Sequence, residues 1–166
     1  MKMNKPFPNC HWIDQGTFLA GEYPRNLDES TSQLKIDSIV SAGIVSFVDL
    51  TEAGELEPYD SFLGSDIRYR RFPIRDVSIP TSRGAVIQML DYIDMEIEQG
   101  RPVYLHCWGG RGRTGTIAGC WVSRHGTTGQ AALDRLYELW LDNPKSEFSE
   151  SPETEEQCAY VRNWIE

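Results

Sequence analysis

The amino-acid sequence predicts an α/β domain with a central, mainly parallel sheet flanked by helices. Three observations lead there. Short apolar runs of strand length alternate with stretches of helical spacing, the closing third reads as helix almost throughout, and no repeat or linker interrupts the chain. At 166 residues with 40% hydrophobic side chains, the whole chain, residues 1–166, fits one domain with a substantial core.

Strand-like runs fall at Phe18–Ala20, Ile44–Leu50, Ile67–Ile74 and Val103–His106. Leu34, Ile39 and Val40 mark a helix that Gly43 ends. A stronger helix runs from about Ser82 to Gln99, with Val86, Met89, Leu90, Ile93 and Ile97 on one side and Gly100 as its stop. Beyond the last strand, Arg113–Arg124 opens from a glycine-rich loop and closes at Gly126. Thr127 or Thr128 is placed to cap the next helix, which carries Ala132, Leu133, Leu136, Leu139 and Trp140. Ser151 as N-cap, with Pro152 at the first helical position, begins a final helix bearing Tyr160, Val161 and Trp164.

Composition narrows the function. The formal net charge is −9, from 25 acidic and 16 basic residues. Gripping nucleic acid or an anionic membrane needs a large basic surface, so neither partner is expected, and the chain is expected to act as a monomer. Cys10, Cys107, Cys120 and Cys158 are scattered without a CxxC pair, the start lacks an apolar leader core, and no apolar run reaches transmembrane length. These features predict a cytoplasmic protein with free thiols and no internal disulfide.

The chemistry concentrates in Val103–Gly115, VYLHCWGGRGRTG. A strand ends at His106, a thiol follows at once, and a loop containing Gly109, Gly110 and Gly112 leads into a helix near Arg113. In open α/β sheets ligands bind at the carboxyl ends of strands, and helix N-termini offer free N–H groups to anions. The glycines let the backbone turn its N–H groups inward as an anion nest, and the planar Arg113 guanidinium matches two phosphate oxygens. The same field that holds a phosphate dianion stabilises a thiolate, so Cys107 is a candidate nucleophile rather than an inert buried thiol. No second ligand cluster accompanies His106 and Cys107, so no metal or organic cofactor is expected.

His106-Cys107, five intervening residues, then Arg113-Thr114-Gly115 resembles the signature loop of the protein tyrosine and dual-specificity phosphatase superfamily. The resemblance extends to Phe47-Val48-Asp49-Leu50-Thr51, to Arg71-Phe72-Pro73-Ile74-Arg75-Asp76 and to Ser151–Gln157, and covers roughly Phe18 to Trp164. A persulfide-forming sulfurtransferase also sets a Cys in an anion nest, but Gly110, Gly112 and Thr114 match the phosphatase pattern.

The resemblance implies a compact cysteine-dependent phosphatase with Cys107 as nucleophile and Arg113 with the loop residues Trp108, Gly109, Gly110, Arg111 and Gly112 holding the phosphate. It implies Asp76 as general acid and base, with Asp66 and Asp60 as fallbacks that precede the strand rather than follow it. His106 is implied to order the loop and help keep the thiol ionised. Thr114 can donate to the sulfur, or simply serve the first helical turn. Activity would be bell-shaped with pH, and peroxide would inactivate through Cys107.

Glu153 and Gln157 fall where larger relatives carry water-positioning glutamines, although the first is Glu here, and an acidic first helical turn explains both as well. Arg68, Arg70, Arg71 and Arg75 form the other basic cluster, which with Arg111 can attract a polyanionic substrate or simply be solvated edge charge. His11 and His125 belong to no pattern. The expected substrate is a phosphorylated protein, phosphotyrosine first and phosphoserine or phosphothreonine next. A phosphoinositide or other small phosphate ester is the alternative, and a silent phosphopeptide-binding module the third reading.

Overall fold

The computed structural model describes residues 2–166. Its sheet has five strands in the order β1-β2-β5-β3-β4. These are β1 (Cys10–Asp14), β2 (Phe18–Gly21), β3 (Ser46–Asp49), β4 (Arg68–Arg71) and β5 (Val103–His106). The helices are α1 (Glu29–Ser41), α2 (Arg83–Glu98), α3 (Gly112–Arg124), α4 (Gln130–Trp140) and α5 (Glu155–Arg162), with short 3-10 turns at Asp60–Phe62 and Pro144–Glu147. The mainly parallel sheet expected from the sequence is present: β2·β5, β5·β3 and β3·β4 run parallel, and only β1·β2 is antiparallel.

Side-chain alternation along the strands sorts the core onto two faces. Phe18, Ala20, Val48, Val103 and Leu105 meet Val86, Leu90 and Ile93 of α2, Ile117 and Cys120 of α3, Leu136 of α4 and Val161 of α5. On the other face Leu19, Phe47 and Tyr104 meet Ile36 and Ile39 of α1, with Tyr59 and Tyr23. Thus α2, α3, α4 and α5 contribute to one side and α1 covers the other.

Several local readings need correction. The strand β1 carries no apolar run, only Cys-His-Trp-Ile-Asp, and is held by pairing with β2 and by the packing of His11 edge-on to Trp140 of α4. The final helix is capped by Thr154, not Ser151, because Thr154 Oγ1 receives the Gln157 N–H at 3.1 Å and the Gln157 side chain answers Thr154 N at 3.1 Å. Neither Thr127 nor Thr128 caps α4, whose N-cap is Gly129 at φ 64°, without a side-chain bond. The strand foreseen over Ile67–Ile74 contracts to Arg68–Arg71, with Pro73 lying beyond it.

Candidate active site

The loop from Cys107 to Arg111 hangs between the carboxyl end of β5 and the first turn of α3. α1, α2 and α5 are capped by Asp28, Ser82 and Thr154, but no side chain caps α3. Its leading N–H groups are therefore not taken up by a capping oxygen, the arrangement that suits an incoming anion. Gly110 has φ 72°, and a Cβ there would lie 2.7 Å from Glu22 N while clashing with the Gly21 backbone. Only glycine fits that conformation and that close approach. The loop is braced from outside by Tyr23 N–H donating to the Trp108 carbonyl at 2.8 Å and by Lys145 Nζ donating to the Gly109 carbonyl at 2.8 Å.

Cys107 is buried at the loop mouth. The other thiols lie in surroundings that raise their pKa: burial pushes Cys10 up to about 11 and raises Cys120 and Cys158 as well. All four cysteines are free. Thr114 is buried and its hydroxyl has no hydrogen-bond partner.

His106 points to the opposite face of β5, stacked on Tyr104 with ring centroids 5.6 Å apart. Its Nε2 lies 2.6 Å from the Tyr59 hydroxyl and its Nδ1 3.1 Å from the Cys107 carbonyl. The carbonyl can only accept, so Nδ1 carries the hydrogen and Tyr59 donates to Nε2. Burial lowers the His106 pKa below its ordinary value, so the ring is neutral at pH 7. It stiffens the turn between strand and loop without bringing a positive charge to the thiol. Beside it, the buried Asp49 receives the Thr51 N–H and hydroxyl at 2.8 and 2.6 Å and the Tyr69 hydroxyl at 2.8 Å.

Arg113 is 1% exposed. Glu55 grips it with two bonds of 2.9 and 2.7 Å, and Nη1 also donates to the Ile74 carbonyl at 3.0 Å. Arg113 in turn holds the Glu55 carboxyl below its usual range. Asp76 Oδ1 reaches Arg113 Nη2 at 3.1 Å, while Arg113 Nε has no partner. Asp76 is half-exposed, and its loop is tight: Val77 N–H donates to Asp76 Oδ1 at 2.9 Å, and Val77 itself sits at φ 55°. A β-branched residue there carries ~1–3 kcal/mol of backbone strain, a feature that gathers at functional loops.

The structure thus brings Cys107, Arg113, Thr114 and Asp76 to one end of the sheet. Asp66 is not part of this group: it precedes β4, at the amino end of the parallel strands, whereas Cys107 follows the carboxyl end of β5. Asp60 opens an exposed 3-10 turn. Arg111 was expected among the phosphate contacts, yet its guanidinium is held by the Glu150 carbonyl at 2.5 Å and by Glu153 at 3.4 Å. The arginine cluster is dispersed as well. Arg68 joins Arg101 on the buried Glu96, Arg70 lies over Phe72 and Tyr92, and Arg71 pairs with Asp49. Arg75 makes no ion pair among the described residues.

Glu55 and Tyr59 are parts of this site that sequence patterns missed, and Gln157, which the sequence left between a water-positioning role and plain helix chemistry, packs against Gly112 beside them. A signal for Glu55 existed: it follows β3 at the same sheet end as the loop from Cys107 to Arg111. Beside the loop opens a cleft of about 720 Å³ whose walls include Tyr23, Leu27, Leu56, Pro58 and Trp108. Among the described residues no group of His, Cys, Asp and Glu is placed to hold a metal ion, and no helix is long and apolar enough to cross a membrane.

Comparison with known proteins agrees with this geometry. The family pattern described as "Swiss Army Knife protein, DSP-PTPase phosphatase domain" matches residues 7–164. "Putative tyrosine phosphatase 067L" of Invertebrate iridescent virus 3 is 32% identical over 94 residues, 54% of this chain and 38% of that protein. The chain spans about half or less of the length of the curated relatives it matches. Among solved structures, Tk-PTP in the active form superposes with a TM-score of 0.74 at 23% identity, covering 96% of this chain and 99% of that one. PTPMT1 in complex with PI(5)P superposes with a TM-score of 0.67 at 14% identity, covering 92% of each chain. A family pattern that spans nearly the whole chain, on a fold these structures share, decides the assignment: the chain belongs to the DSP-PTPase phosphatase domain family, within the dual-specificity and tyrosine phosphatase superfamily.

Proposed function

We propose that the protein hydrolyses phosphate monoesters in two covalent steps, with aryl phosphates, above all protein phosphotyrosine, as substrates. The Cys107 thiolate attacks phosphorus while Arg113 and the loop N–H groups hold the equatorial oxygens. Asp76 gives its proton to the leaving oxygen as the P–O bond breaks. A water, deprotonated by Asp76, then attacks the phosphocysteine, and the S–P bond breaks with the Thr114 hydroxyl donating to the departing sulfur. Inorganic phosphate leaves, and the thiolate and the protonated acid are restored.

The observation that carries this reading is the position of Arg113, between the Glu55 carboxylate behind it and the half-exposed Asp76 carboxylate at 3.1 Å. A phosphate entering the uncapped end of α3 would meet the free Arg113 Nε and displace Asp76 toward the leaving group. His106 holds the loop as a neutral structural imidazole.

The cleft supports the aryl preference. Tyr23, Leu27, Leu56, Pro58 and Trp108 in its mixed wall suit a ring, while its cations are already engaged: Lys35 by Glu22 at 2.8 Å and Arg25 by the Pro58 carbonyl at 2.7 Å. A polyphosphorylated head group would find few free donors there. The second reading, a phosphoinositide carrying a single phosphate, is favoured by the exposed Leu27 and Trp108 at the rim and by the likeness to PTPMT1 bound to PI(5)P.

The decisive experiment is aryl phosphate hydrolysis with a chelator present, comparing wild type with Cys107→Ser and Asp76→Asn. Turnover abolished by the first change and cut ~10²–10⁴-fold by the second is expected. Full activity in Cys107→Ser, or loss of wild-type activity with chelator, would refute the mechanism. Phosphotyrosine peptide and PI(5)P assayed side by side decide between the two substrates.

A further inference from the structure

Gln157 is fully buried, although it begins as a polar residue in the first turn of α5. Its side-chain carbonyl receives Glu153 N at 3.0 Å and Thr154 N at 3.1 Å, which ties down the turn entering the helix. Its amide donates in a different direction, to the Ser78 carbonyl at 3.2 Å, two residues beyond Asp76. A Cβ on Gly112 would lie 3.0 and 3.1 Å from the two amide atoms of Gln157, so the same group is packed against the residue before Arg113. One carboxamide therefore touches α5, the loop of Asp76 and the start of α3.

Among the described residues, this is the one hydrogen bond that reaches residues 77–81 from outside that loop. It lands one residue beyond Val77, whose φ of 55° is a conformation that persists only where its surroundings hold it.

We propose that Gln157 is a positioning residue: it latches the Asp76 loop to the first turn of the phosphate-binding helix and so sets where the acid meets the leaving oxygen. The proposal rests on the mechanism given above.

Gln157→Glu tests it. Glutamate keeps the acceptor that completes the capping box but loses the N–H that Ser78 receives. Phenyl phosphate, a poor leaving group, needs the acid, and 2,4-dinitrophenyl phosphate scarcely does. The kcat ratio of phenyl to dinitrophenyl ester, measured below the melting temperature of each variant, is expected to fall about 10–100-fold in Gln157→Glu. In an Asp76→Asn background the same substitution should leave that ratio unchanged, because the residue it positions is gone. An equal fall for both esters, or a ratio shift that persists without Asp76, would overturn the latch. Should Gln157→Glu fail to fold, the uncharged and nearly isosteric Gln157→Met carries the same comparison. A wild type that cleaves neither ester would instead overturn the underlying phosphatase reading, which is a separate failure.

Discussion

Glu55 holds Arg113 from behind through two near-parallel hydrogen bonds of 2.9 and 2.7 Å. A guanidinium gripped on one edge presents its other edge in a fixed plane, which is the geometry that two phosphate oxygens require. Substituting Glu55→Ala should leave Arg113 charged but held only by the Ile74 carbonyl and Asp76, without the two-point grip that fixes its plane. kcat/KM for an aryl phosphate is expected to fall ~10–100-fold, about 1.4–2.8 kcal/mol. Inhibition by inorganic phosphate should weaken in parallel. Steady-state kinetics with a phosphate inhibition series measures both.

Tyr59→Phe removes the hydroxyl that donates to His106 at 2.6 Å. It leaves a buried imidazole nitrogen without a partner, at a cost of ~1–3 kcal/mol. Thermal unfolding should show a melting temperature lower by roughly 3–10 °C, with secondary structure intact before the transition.

Gly109 and Gly110 are neighbours with different demands. Gly110→Ala places a Cβ in the left-handed region and against the Gly21 backbone, so activity is expected to drop by about 100-fold or more. At Gly109 a Cβ would meet only Lys145 Nζ, at 3.9 Å. Gly109→Ala should retain activity within roughly 5-fold, and assays of the two variants side by side make the comparison.

His11 gives a pH dependence of stability. Burial lowers its pKa from 6.5 to about 4, so the folded chain keeps it neutral where the unfolded chain protonates it. Its contribution is fully present above pH 6.5 and is lost as pH falls from there to about 4, in all about 3 kcal/mol. Below that both states are protonated. His11→Phe, which can keep the edge contact with Trp140, should therefore narrow the difference in melting temperature between pH 7 and pH 5 by about 5 °C. Scanning calorimetry at both pH values checks this.

What could be read from the sequence follows from how the contacts are made. Cys107, the glycines and Arg113 belong to one uninterrupted strand–loop–helix, so their spacing alone places them together. The grip of Glu55 on Arg113 spans 58 positions, the Tyr59 bond to His106 spans 47, and the Gln157 bond to Ser78 spans 79. No local pattern encodes such pairings. The same holds for the fold: strands with apolar runs were legible, while β1 owes its place to its partner β2 and to α4. The guanidinium of Arg111 is likewise held by partners 39 and 42 positions along the chain, which its place in the loop does not reveal.

Val103 and Leu105 face one side of the sheet, Tyr104 and His106 the other, and Cys107 returns to the first. The chemistry of the site is therefore phased to the grease of the core. Shifting β5 by a single residue would carry the imidazole to the side of Cys107 and drive Val103 and Leu105 against the tyrosines around α1. The hydrophobic core acts as a proofreader of the site: a slipped strand loses its packing as well as its thiol, so misregistered chains should be unstable rather than stable and inactive.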